Sequence, residues 1–318
     1  MSSSQTQQSP SLPASVASPG ASYRPQPGVF DEMMDASGAV RPHWAAFCRW
    51  LRNASASDLA DRSSSLHQLL RDHGVTYNIY DDALGTSRPW ELDLIPLIIA
   101  EDEWVTVAGG LQQRGRLLEA LVSDIYGAQR SLKEGLLPPT LIFGNPSFQR
   151  AAMGVQPAGP FIFSLAHDLV RGPNGRWLIL ADRAQVPIGQ GYTLENRVIM
   201  ANIHHEEFSA SHVHRLSAYF GAERNALQSL APHRKGDAGI LMLAPSPRSE
   251  SYFEVAFKAR HLGFPLVEGA DLTVRDRRLQ LKTLEGLIPA DVVIRQIVDS
   301  ACDPLELNRN GSGGPAGF

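Results

Sequence analysis

The chain has 318 residues, of which 43% are hydrophobic, so it can bury a large core in one or two domains. Its formal net charge of −4 excludes the strongly basic surface that nucleic-acid binding needs. The only cysteines, Cys48 and Cys302, lie far apart without metal-ligand spacing and favour a reducing, cytoplasmic compartment. No apolar run reaches the roughly 18 residues of a membrane span, so we expect a soluble protein without a membrane partner.

Both ends of the chain have the composition of disordered segments. Residues 1–28 are rich in Ser, Pro and Gln and lack the basic start and apolar stretch of a signal peptide. Residues 309–318 are rich in glycine. We therefore predict a disordered tail at 1–28 and a flexible tail at 309–318. Two folded units are expected between them, at 29–235 and 236–308.

The pattern of residues 41–130 predicts three helices. Apolar residues recur there at the spacing of one helical face, and such stripes are far more often core than ligand contacts. The three stripes are Trp44, Phe47 and Leu51; then Leu59, Leu66, Leu69 and Leu70; then Leu111, Leu118, Val122 and Ile125. Before the third helix, Asp81 and Asp82 fit a solvated turn better than a cation site.

A β-hairpin is predicted in the middle of the chain. Its first strand covers residues 161–171 and carries one acid, Asp168. The return strand, residues 177–180, is bulky and partly β-branched, as strands prefer. It leads into a loop with two glycines, Gly189 and Gly191, that opens a helix. Composition alone favours an ordinary structural hairpin with a charged exit over a functional one.

The register of this hairpin follows from its turn. A two-residue turn at 173–174 would pair Asp168 with Ile179. Side chains alternate along a strand, so Ala181 and Arg183 would share the face of Asp168. Arg183 would then be four residues from Asp168 along that face. Its guanidinium could bridge this gap, or it could point to solvent.

Residues 199–214 contain four histidines and two glutamates, which are possible zinc ligands. On one continuous helix His205 and His212 would share a face. No carboxylate joins them at the third position that a tetrahedral site needs. The spacing therefore favours a surface helix followed by a loop.

Residues 237–300 predict an α/β unit. A buried strand at 238–244 is followed by a loop and a helix that ends near residue 262, and four more strand-like segments complete one sheet. A loop at the carboxyl end of such a strand is a frequent site for small anions, although no Gly-rich fingerprint is present. We therefore take Ser249, Ser251 and Arg295 as candidate substrate contacts.

Several short motifs carry a resemblance to a known family. The hairpin contains D-L-V-R at 168–171, and V-P-x-G-x-x-Y-x-L-E-N-R follows it at 186–197. Further pieces are F-D-E-M at 30–33, V-R-P at 40–42, Y-N-I-Y at 77–80, R-P-W at 88–90, D-L-I-P at 93–96, D-I-Y-G at 124–127, S-Y-F-E at 251–254, L-V-E-G at 266–269 and D-P-L-E at 303–306. Together they resemble the circularly permuted ATP-grasp family (type 2), related to glutathionylspermidine synthase.

The resemblance implies a fold, an activity and a set of site residues. It implies an α+β or mixed α/β chain with a helical N-terminal region, an ATP-grasp-like hairpin and a C-terminal, pre-ATP-grasp-like α/β unit. The implied activity is ATP-dependent ligation of a carboxylate and an amine through an acyl phosphate, with ATP and Mg²⁺ as cofactors. The implied substrate and cofactor contacts are Arg183, Gly189, Gly191, Tyr192, Glu195, Asn196 and Arg197, with Tyr80 and Arg88 in the wall of the cleft.

The metal motif of this chain departs from the family pattern. The family has an Asp on the first strand, here Asp168, and Glu-x-Asn at the end of the second. Those last two positions are Ala181 and Arg183 here, and neither is a magnesium ligand. Asp182 does not replace the missing Glu, since alternation places it on the opposite face. The resemblance therefore implies a degenerate metal site.

The lysines that grip the nucleotide come later in the family order, and this sequence shows no counterpart. We therefore expect an N-terminal portion of the family's fold that alone binds neither ATP nor Mg²⁺ tightly. Two functions stay open: an incomplete ligase, or a non-catalytic homologue that binds a peptide-like ligand or a partner protein. The partners expected are a small peptide or amino-acid-like substrate and, for the incomplete ligase, a downstream nucleotide-binding half.

Overall fold

The computed structural model describes residues 23–76, 90–185, 187–231, 239–245, 249–305, 309–310 and 313–318. The predicted cleft-wall residues Tyr80 and Arg88, and the aspartates Asp81 and Asp82, lie outside these ranges. The architecture is mixed α+β, as predicted. Among the described residues, every helix is too short or too polar to span a lipid bilayer.

The elements alternate between helical stretches and small sheets. The helices are α1 (Ala45–Asn53), α2 (Ala56–Asp72), α3 (Glu101–Tyr126), α4 (Arg130–Lys133), α5 (Pro139–Phe143), α6 (Gln190–Ile203), α7 (His205–Ala210), α8 (Ser217–Ser229), α9 (Tyr252–Leu262) and α10 (Asp299–Cys302). The strands are β1 (Ala166–Arg171), β2 (Trp177–Arg183), β3 (Ile240–Leu243), β4 (Leu266–Val267), β5 (Leu272–Arg275), β6 (Arg278–Thr283), β7 (Gly286–Pro289) and β8 (Val292–Arg295).

The first two predicted helices form as their apolar stripes indicate. Helix α2 begins with a capping box, in which Ser55 and Asp58 each accept a hydrogen bond from the other's backbone N–H. Phe47 of α1 and Leu66 and Leu70 of α2 are at most 2% exposed. These residues belong to the core, as the stripes predicted.

The third stripe is not core, which corrects the prediction for α3. No residue of this helix is buried, and Leu111 and Leu118 remain half-exposed. The hairpin and the segment before the hairpin contact this helix and leave much of its surface exposed. Its Glu119 carboxylate, for example, accepts hydrogen bonds from the backbone N–H groups of Phe161 (2.9 Å) and Ile162 (2.7 Å). An apolar stripe alone does not show whether a second layer covers it.

The hairpin forms, but with other bounds and another register than predicted. Strand β1 starts at Ala166, and β2 extends to Arg183. The turn has three residues, because the N–H of Gly172 donates to the carbonyl of Arg176 (2.9 Å) and Gly175 takes a left-handed φ of 80°. A register shift then follows at Leu180, which has no partner opposite it on β1.

The C-terminal strands form two sheets, and the prediction of one sheet is wrong. Strands β4, β3 and β8 form a parallel sheet, whereas β5, β6 and β7 form an antiparallel meander. The tight turn at Asp276 and Arg277, both with positive φ, starts the meander and turns β6 back on β5. Helix α9 ends at Leu262, as predicted.

Two core clusters connect the N-terminal and C-terminal parts of the chain. In one cluster, Leu66 of α2 packs with Ile199 of α6, and Phe253 of α9 covers them. In the other, Phe220 of α8 packs with Met242 of β3 and with one face of α9 that runs to its last residue, Leu262. Helix α6 and helix α8 therefore lie directly on the C-terminal α/β unit, and this contact sets the position of the loop that opens α6.

The described part of the C-terminal tail is packed, which differs from the predicted flexible tail. The N–H of Gly313 donates to the carbonyl of Ala301 (2.8 Å), and the N–H of Gly317 donates to the buried carboxylate of Asp303 (3.2 Å). Glycine backbones can approach this closely because they carry no side chain. The glycines in the described part of this tail therefore allow close packing instead of making it flexible.

Candidate functional site

One face of the hairpin carries the residues that the sequence predicted for the metal site. We call Asp168, Val170, Leu178, Ala181 and Arg183 the hairpin face, since the register pairs Asp168 with Ala181 and Val170 with Leu178 and places Arg183 beside them. The guanidinium of Arg183 donates to Asp168 Oδ2 from Nε (3.0 Å) and Nη2 (2.7 Å). This two-pronged geometry matches a planar guanidinium to a carboxylate.

The bulge at Leu180 brings this ion pair together. Arg183 lies opposite Ala166, which is two residues from Asp168, instead of the four predicted. The hydrogen bond from Arg183 lowers the pKa of the Asp168 carboxyl below its ordinary value. Both side chains stay exposed, at 61% for Arg183 and 40% for Asp168, so a ligand or a partner can reach them.

The residues of the hairpin face do not fit a magnesium ion. The cation prefers several oxygen ligands in near-octahedral geometry. The face offers one carboxylate, Asp168, which is already paired with a fixed positive charge, and the methyl group of Ala181 stands opposite it.

The opposite face of the hairpin attaches it to α3. The carboxylate of Asp182 accepts hydrogen bonds from Arg114 Nη2 (2.6 Å) and Nε (2.8 Å), and its Oδ1 lies 2.7 Å from Nδ1 of the nearly buried His167. These contacts lower the pKa of the Asp182 carboxyl, and the hydrogen bonds from Arg114 have the largest effect. Asp182 is therefore a structural anchor on the face that alternation predicted, away from Asp168.

A second anchor holds the turn end of the hairpin. Arg171 is only 7% exposed and donates to Glu32 Oε1 from Nε (2.6 Å) and to the carboxylate of Glu103. Its guanidinium also lies 4.6 Å from the ring centre of Phe30 and 4.1 Å from that of Trp177. The sequence motifs at 30–33 and 168–171 meet at this anchor, which sequence reasoning did not find.

Two glycines allow the start of α6 to lie close to α9: Gly189, just before α6, and Gly191, in its first turn. The N–H of Gly189 donates to Glu254 Oε1 (2.5 Å), and the N–H groups of Gln190 and Gly191 also stabilise that carboxylate. A Cβ at Gly191 would lie 2.8 Å from Glu254 Cγ and from its carbonyl oxygen. Gly191 is therefore required for close approach of two backbones, and Glu254 occupies the positive end of α6.

Besides Gly191, the four other predicted binding residues on α6 have partners within the chain. The ring of Tyr192 stacks on Trp90 with centroids 4.1 Å apart, and its hydroxyl donates to Thr76 O (2.7 Å). The Trp90 indole N–H donates to Asn196 Oδ1 (2.9 Å). Glu195 contacts His73, and Arg197 Nη1 donates to the carbonyl of His214 (2.7 Å). These contacts fix α6 to α2 and to the segment that contains Trp90.

A buried polar network next to the loop was missed in the sequence. Lys258 Nζ donates to Glu223 Oε1 (2.6 Å) and to the side-chain carbonyl of Gln190. Gln190 in turn donates to the hydroxyls of Tyr219 (2.7 Å) and Ser164 (3.3 Å). Lys258 and Glu223 are each below 10% exposed, as paired buried charges are. The sequence signal that could have revealed this network is the presence of charged residues, Glu223 and Lys258, within apolar helix patterns.

The three candidate substrate contacts of the C-terminal unit lie at the carboxyl edge of the parallel sheet. Ser249 and Ser251 follow β3, and their hydroxyls are 3.0 Å apart. Arg295 ends the neighbouring strand β8, and its Nη1 lies 3.0 Å from Cys302 Sγ. The fold thus brings these residues to one edge of the sheet. Within the described part of the chain, no hydrogen bond joins either serine to Arg295.

The histidine-rich segment holds no metal site in the described residues. Helix α6 ends at Ile203, and α7 starts afresh at His205, so the continuous helix that would align the histidines does not exist. The buried His204 lies with Nδ1 2.7 Å from Arg62 Nη1 and Nε2 2.8 Å from Leu94 O. Burial lowers the pKa of His204, which favours a neutral imidazole that accepts from Arg62.

Comparison with known proteins fits this architecture. Residues 96–318 match the family described as circularly permuted ATP-grasp type 2. An uncharacterized protein of Mycobacterium tuberculosis is 36% identical over 305 residues, which are 93% of this chain and 34% of the relative. An uncharacterized protein of Synechocystis is 35% identical over 280 residues, 87% of this chain and 58% of the relative. The chain thus spans about a third to three-fifths of the length of these relatives.

The match covers well over half of the chain and includes the hairpin, the loop before α6 and the C-terminal sheets. The chain belongs to the circularly permuted ATP-grasp type 2 family. ATP and Mg²⁺ are the cofactors that this family generally uses.

Proposed function

We propose that the chain is the N-terminal portion of a circularly permuted ATP-grasp ligase-like protein and that alone it binds no Mg-ATP with useful affinity. In the complete protein, ligation would join a carboxylate, activated as an acyl phosphate by ATP, to an amine. The substrate would be a small peptide or an amino acid. The observation that carries the second part of the proposal is the ion pair between Arg183 and Asp168 on the hairpin face.

The roles of the described residues follow from their contacts. Arg114 and Arg171 hold the hairpin on α3 and on the N-terminal segment, so the hairpin face is presented in a fixed orientation. Glu254 and Gly191 fix the loop that leads from Arg183 to α6. The carboxyl edge with Ser249, which we propose as a substrate-binding region, lies just before the same helix α9. These residues position groups and do not themselves transfer a phosphoryl group.

A second function is favoured by the same ion pair. Arg183 supplies a fixed positive charge in the place where the family pattern holds a mobile metal ion. A homologue that has lost catalysis could use this face to bind a peptide-like ligand or a partner protein. Both proposals place the protein in the cytoplasm, in line with the two buried free thiols of Cys48 and Cys302.

Isothermal titration calorimetry with ATP and Mg²⁺ distinguishes the two proposals. The titration is made on this chain and, in parallel, on the full-length Synechocystis relative. We expect micromolar, magnesium-dependent binding to the relative and none to this chain. A micromolar dissociation constant for this chain would overturn the proposed role of Arg183. No binding to either protein would contradict the ligase-like proposal and favour the binding function.

A further inference from the structure

We infer that a cavity beside α1 binds a small monocarboxylate that has a short aliphatic group and no amino group. Six residues line this cavity: Val40, Ala45, Cys48, Arg49, Arg52 and Asn53. All six lie outside residues 96–318, which match the family, so this site is separate from the proposed ligase function and goes beyond it. Three observations carry the inference: the size of the cavity, the arrangement of its lining, and its charge.

The size of the cavity limits the ligand to a small molecule. Its volume is about 280 Å³, just below the range of roughly 300–1,000 Å³ that is usual for ligand pockets. Each water takes about 30 Å³ in the liquid, so roughly nine waters fill this space. A compound of a few carbon atoms can displace them, whereas ATP, with its base, ribose and phosphates, is too large.

One face of α1 forms most of the lining. Four of the six residues follow the i, i+3, i+4, i+7 spacing of one helical face: Ala45, Cys48, Arg49 and Arg52. Cys48 is only 5% exposed and Val40 is half-buried, whereas both arginines are exposed. A buried thiol behaves as a small apolar group, so the base of the cavity is apolar and its rim is polar. This lining complements a molecule with an aliphatic part and one charged end.

The rim of the cavity is positively charged. Arg49 makes no ion pair or side-chain hydrogen bond in the described part of the chain, and no acidic residue described there lines the cavity. Burial raises the pKa of the Cys48 thiol, so the thiol stays neutral although the charge of Arg52 reaches it. Asp31 also acts on this thiol, but its Oδ1 already accepts hydrogen bonds from two backbone N–H groups (2.9 and 2.6 Å). The cavity therefore attracts an anion.

The lining also selects among anions. A guanidinium binds a carboxylate through two parallel hydrogen bonds. Phosphate would suit the arginines as well, but it has no apolar part to cover the base at Val40 and Cys48. The ammonium group of a free amino acid would lie beside two guanidinium groups without a carboxylate in the lining to pair with it. The cavity thus differs in specificity from a site for the amino-acid-like substrate of the proposed function.

Saturation-transfer NMR on the full chain tests the ligand class. Butyrate is the observed probe, and butyramide, 2-aminobutyrate and inorganic phosphate are added as competitors. We expect saturable butyrate binding with a Kd of about 1 mM, which so small a ligand can provide. Each competitor should bind about tenfold more weakly or worse, because it lacks the charge, carries an ammonium group or lacks the aliphatic part. Absence of saturable butyrate binding would overturn the site, and equally tight binding of any competitor would overturn the ligand class.

Two variants at exposed positions locate the binding. Arg49→Gln removes a charge from the rim, and Ala45→Leu fills the cavity while both arginines remain. Each should weaken butyrate binding by about tenfold or more. Arg116→Gln makes the same charge change at an exposed position of α3 and is the matched control. Circular dichroism checks folding, and unchanged butyrate binding to either folded variant would overturn the inference.

Alkylation of the two buried free thiols gives an independent measurement. Cys48 lines the cavity, whereas Cys302 belongs to a core cluster of the C-terminal unit and is the internal control. With butyrate at about ten times its Kd, labelling of Cys48 by iodoacetamide should slow about tenfold relative to Cys302. A Cys48 labelling rate that butyrate leaves unchanged would overturn binding in this cavity.

Discussion

Arg183 holds the carboxylate of Asp168 through two hydrogen bonds on one face of the β1–β2 hairpin. Under the proposed function, Arg183 places a permanent positive charge at the position that the family pattern assigns to a metal ion. An exposed pair of this kind contributes little to stability, because solvent screens both charges. The pair therefore matters for binding: Arg183 neutralises the Asp168 carboxylate without a metal, so the pair leaves the hairpin face without net charge.

The first prediction concerns the anchor at Arg171. Arg171→Met should lower the free energy of unfolding by about 2–4 kcal/mol, because it leaves the carboxylates of Glu32 and Glu103 without their partly buried partner. Thermal or urea unfolding measures the change. Arg176→Met, at an exposed position in the same turn, is the control and should be nearly neutral. Equal stability of the two variants would show that Arg171 does not hold the hairpin.

The β1–β2 hairpin shows most clearly which structural features the sequence predicts and which it does not. The sequence placed Arg183 and Ala181 on the face of Asp168, and the structure agrees. The agreement depends on two errors that cancel. The turn is one residue longer than predicted, which moves every side chain of β2 to the other face, and the bulge at Leu180 moves the last residues back. Gly175 is compatible with the three-residue turn but does not require it, and the bulge has no evident local signal, so Ile179, predicted opposite Asp168, pairs with Leu169 instead.

The roles of the motif residues on α6 could not be predicted from the sequence for a different reason. Tyr192, Asn196 and Arg197 are residue types that bind ligands as readily as they bind other parts of a protein. Their partners, such as Trp90 and His214, are distant in sequence, and only the packing of α6 on its neighbours brings them together. Periodicity identified helices and buried stripes well, as at Leu66, because those properties are local.

The second prediction concerns the contact between Gly191 and Glu254. Gly191→Ala should destabilise the protein by about 1–3 kcal/mol, since the added methyl group would lie 2.8 Å from a side-chain carbon and a backbone oxygen of Glu254. Gly110→Ala, in the exposed middle of α3, has open space around the new methyl and should stabilise by up to about 1 kcal/mol. Chemical denaturation of both variants gives the comparison. A neutral Gly191→Ala would mean that the two helices separate easily.

The third prediction is a dependence of stability on pH through Glu254. Burial raises the pKa of its carboxyl, against the effects of the N–H groups of residues 189–191 and of Lys258. The folded state therefore holds this proton to higher pH than the unfolded chain, whose carboxyl titrates near about 4.3. The contribution of this group to stability is full below that value and is lost as pH rises to the raised folded pKa.

Glu254→Gln removes this titration. The difference in melting temperature between the variant and the parent protein should therefore shift in favour of the variant as pH rises through that window. Glu285→Gln, at an exposed position in the β6–β7 turn, should show no such trend. Paired acids such as Asp182, whose pKa is lowered, make stability rise with pH instead. They do so equally in both proteins, so their effect cancels in the difference of melting temperatures. A constant difference across pH would contradict the assignment to Glu254.

The last prediction tests the hairpin face as a metal site that has been lost. Ala181 lies opposite Asp168, and Arg183 is next to them on the same face, so Ala181→Glu with Arg183→Asn would place three oxygen-bearing side chains together. Magnesium and manganese favour oxygen ligands, and the fixed charge that now neutralises Asp168 would be gone. Calorimetry should therefore detect binding of Mn²⁺ or Mg²⁺ that the parent protein lacks, and adding Asp168→Ala should abolish it. Leu178→Glu with Arg183→Asn has the same charge with the carboxylate displaced toward the turn, and it should bind more weakly. A folded Ala181→Glu, Arg183→Asn protein without metal binding would show that these residues do not mark the family's cation position.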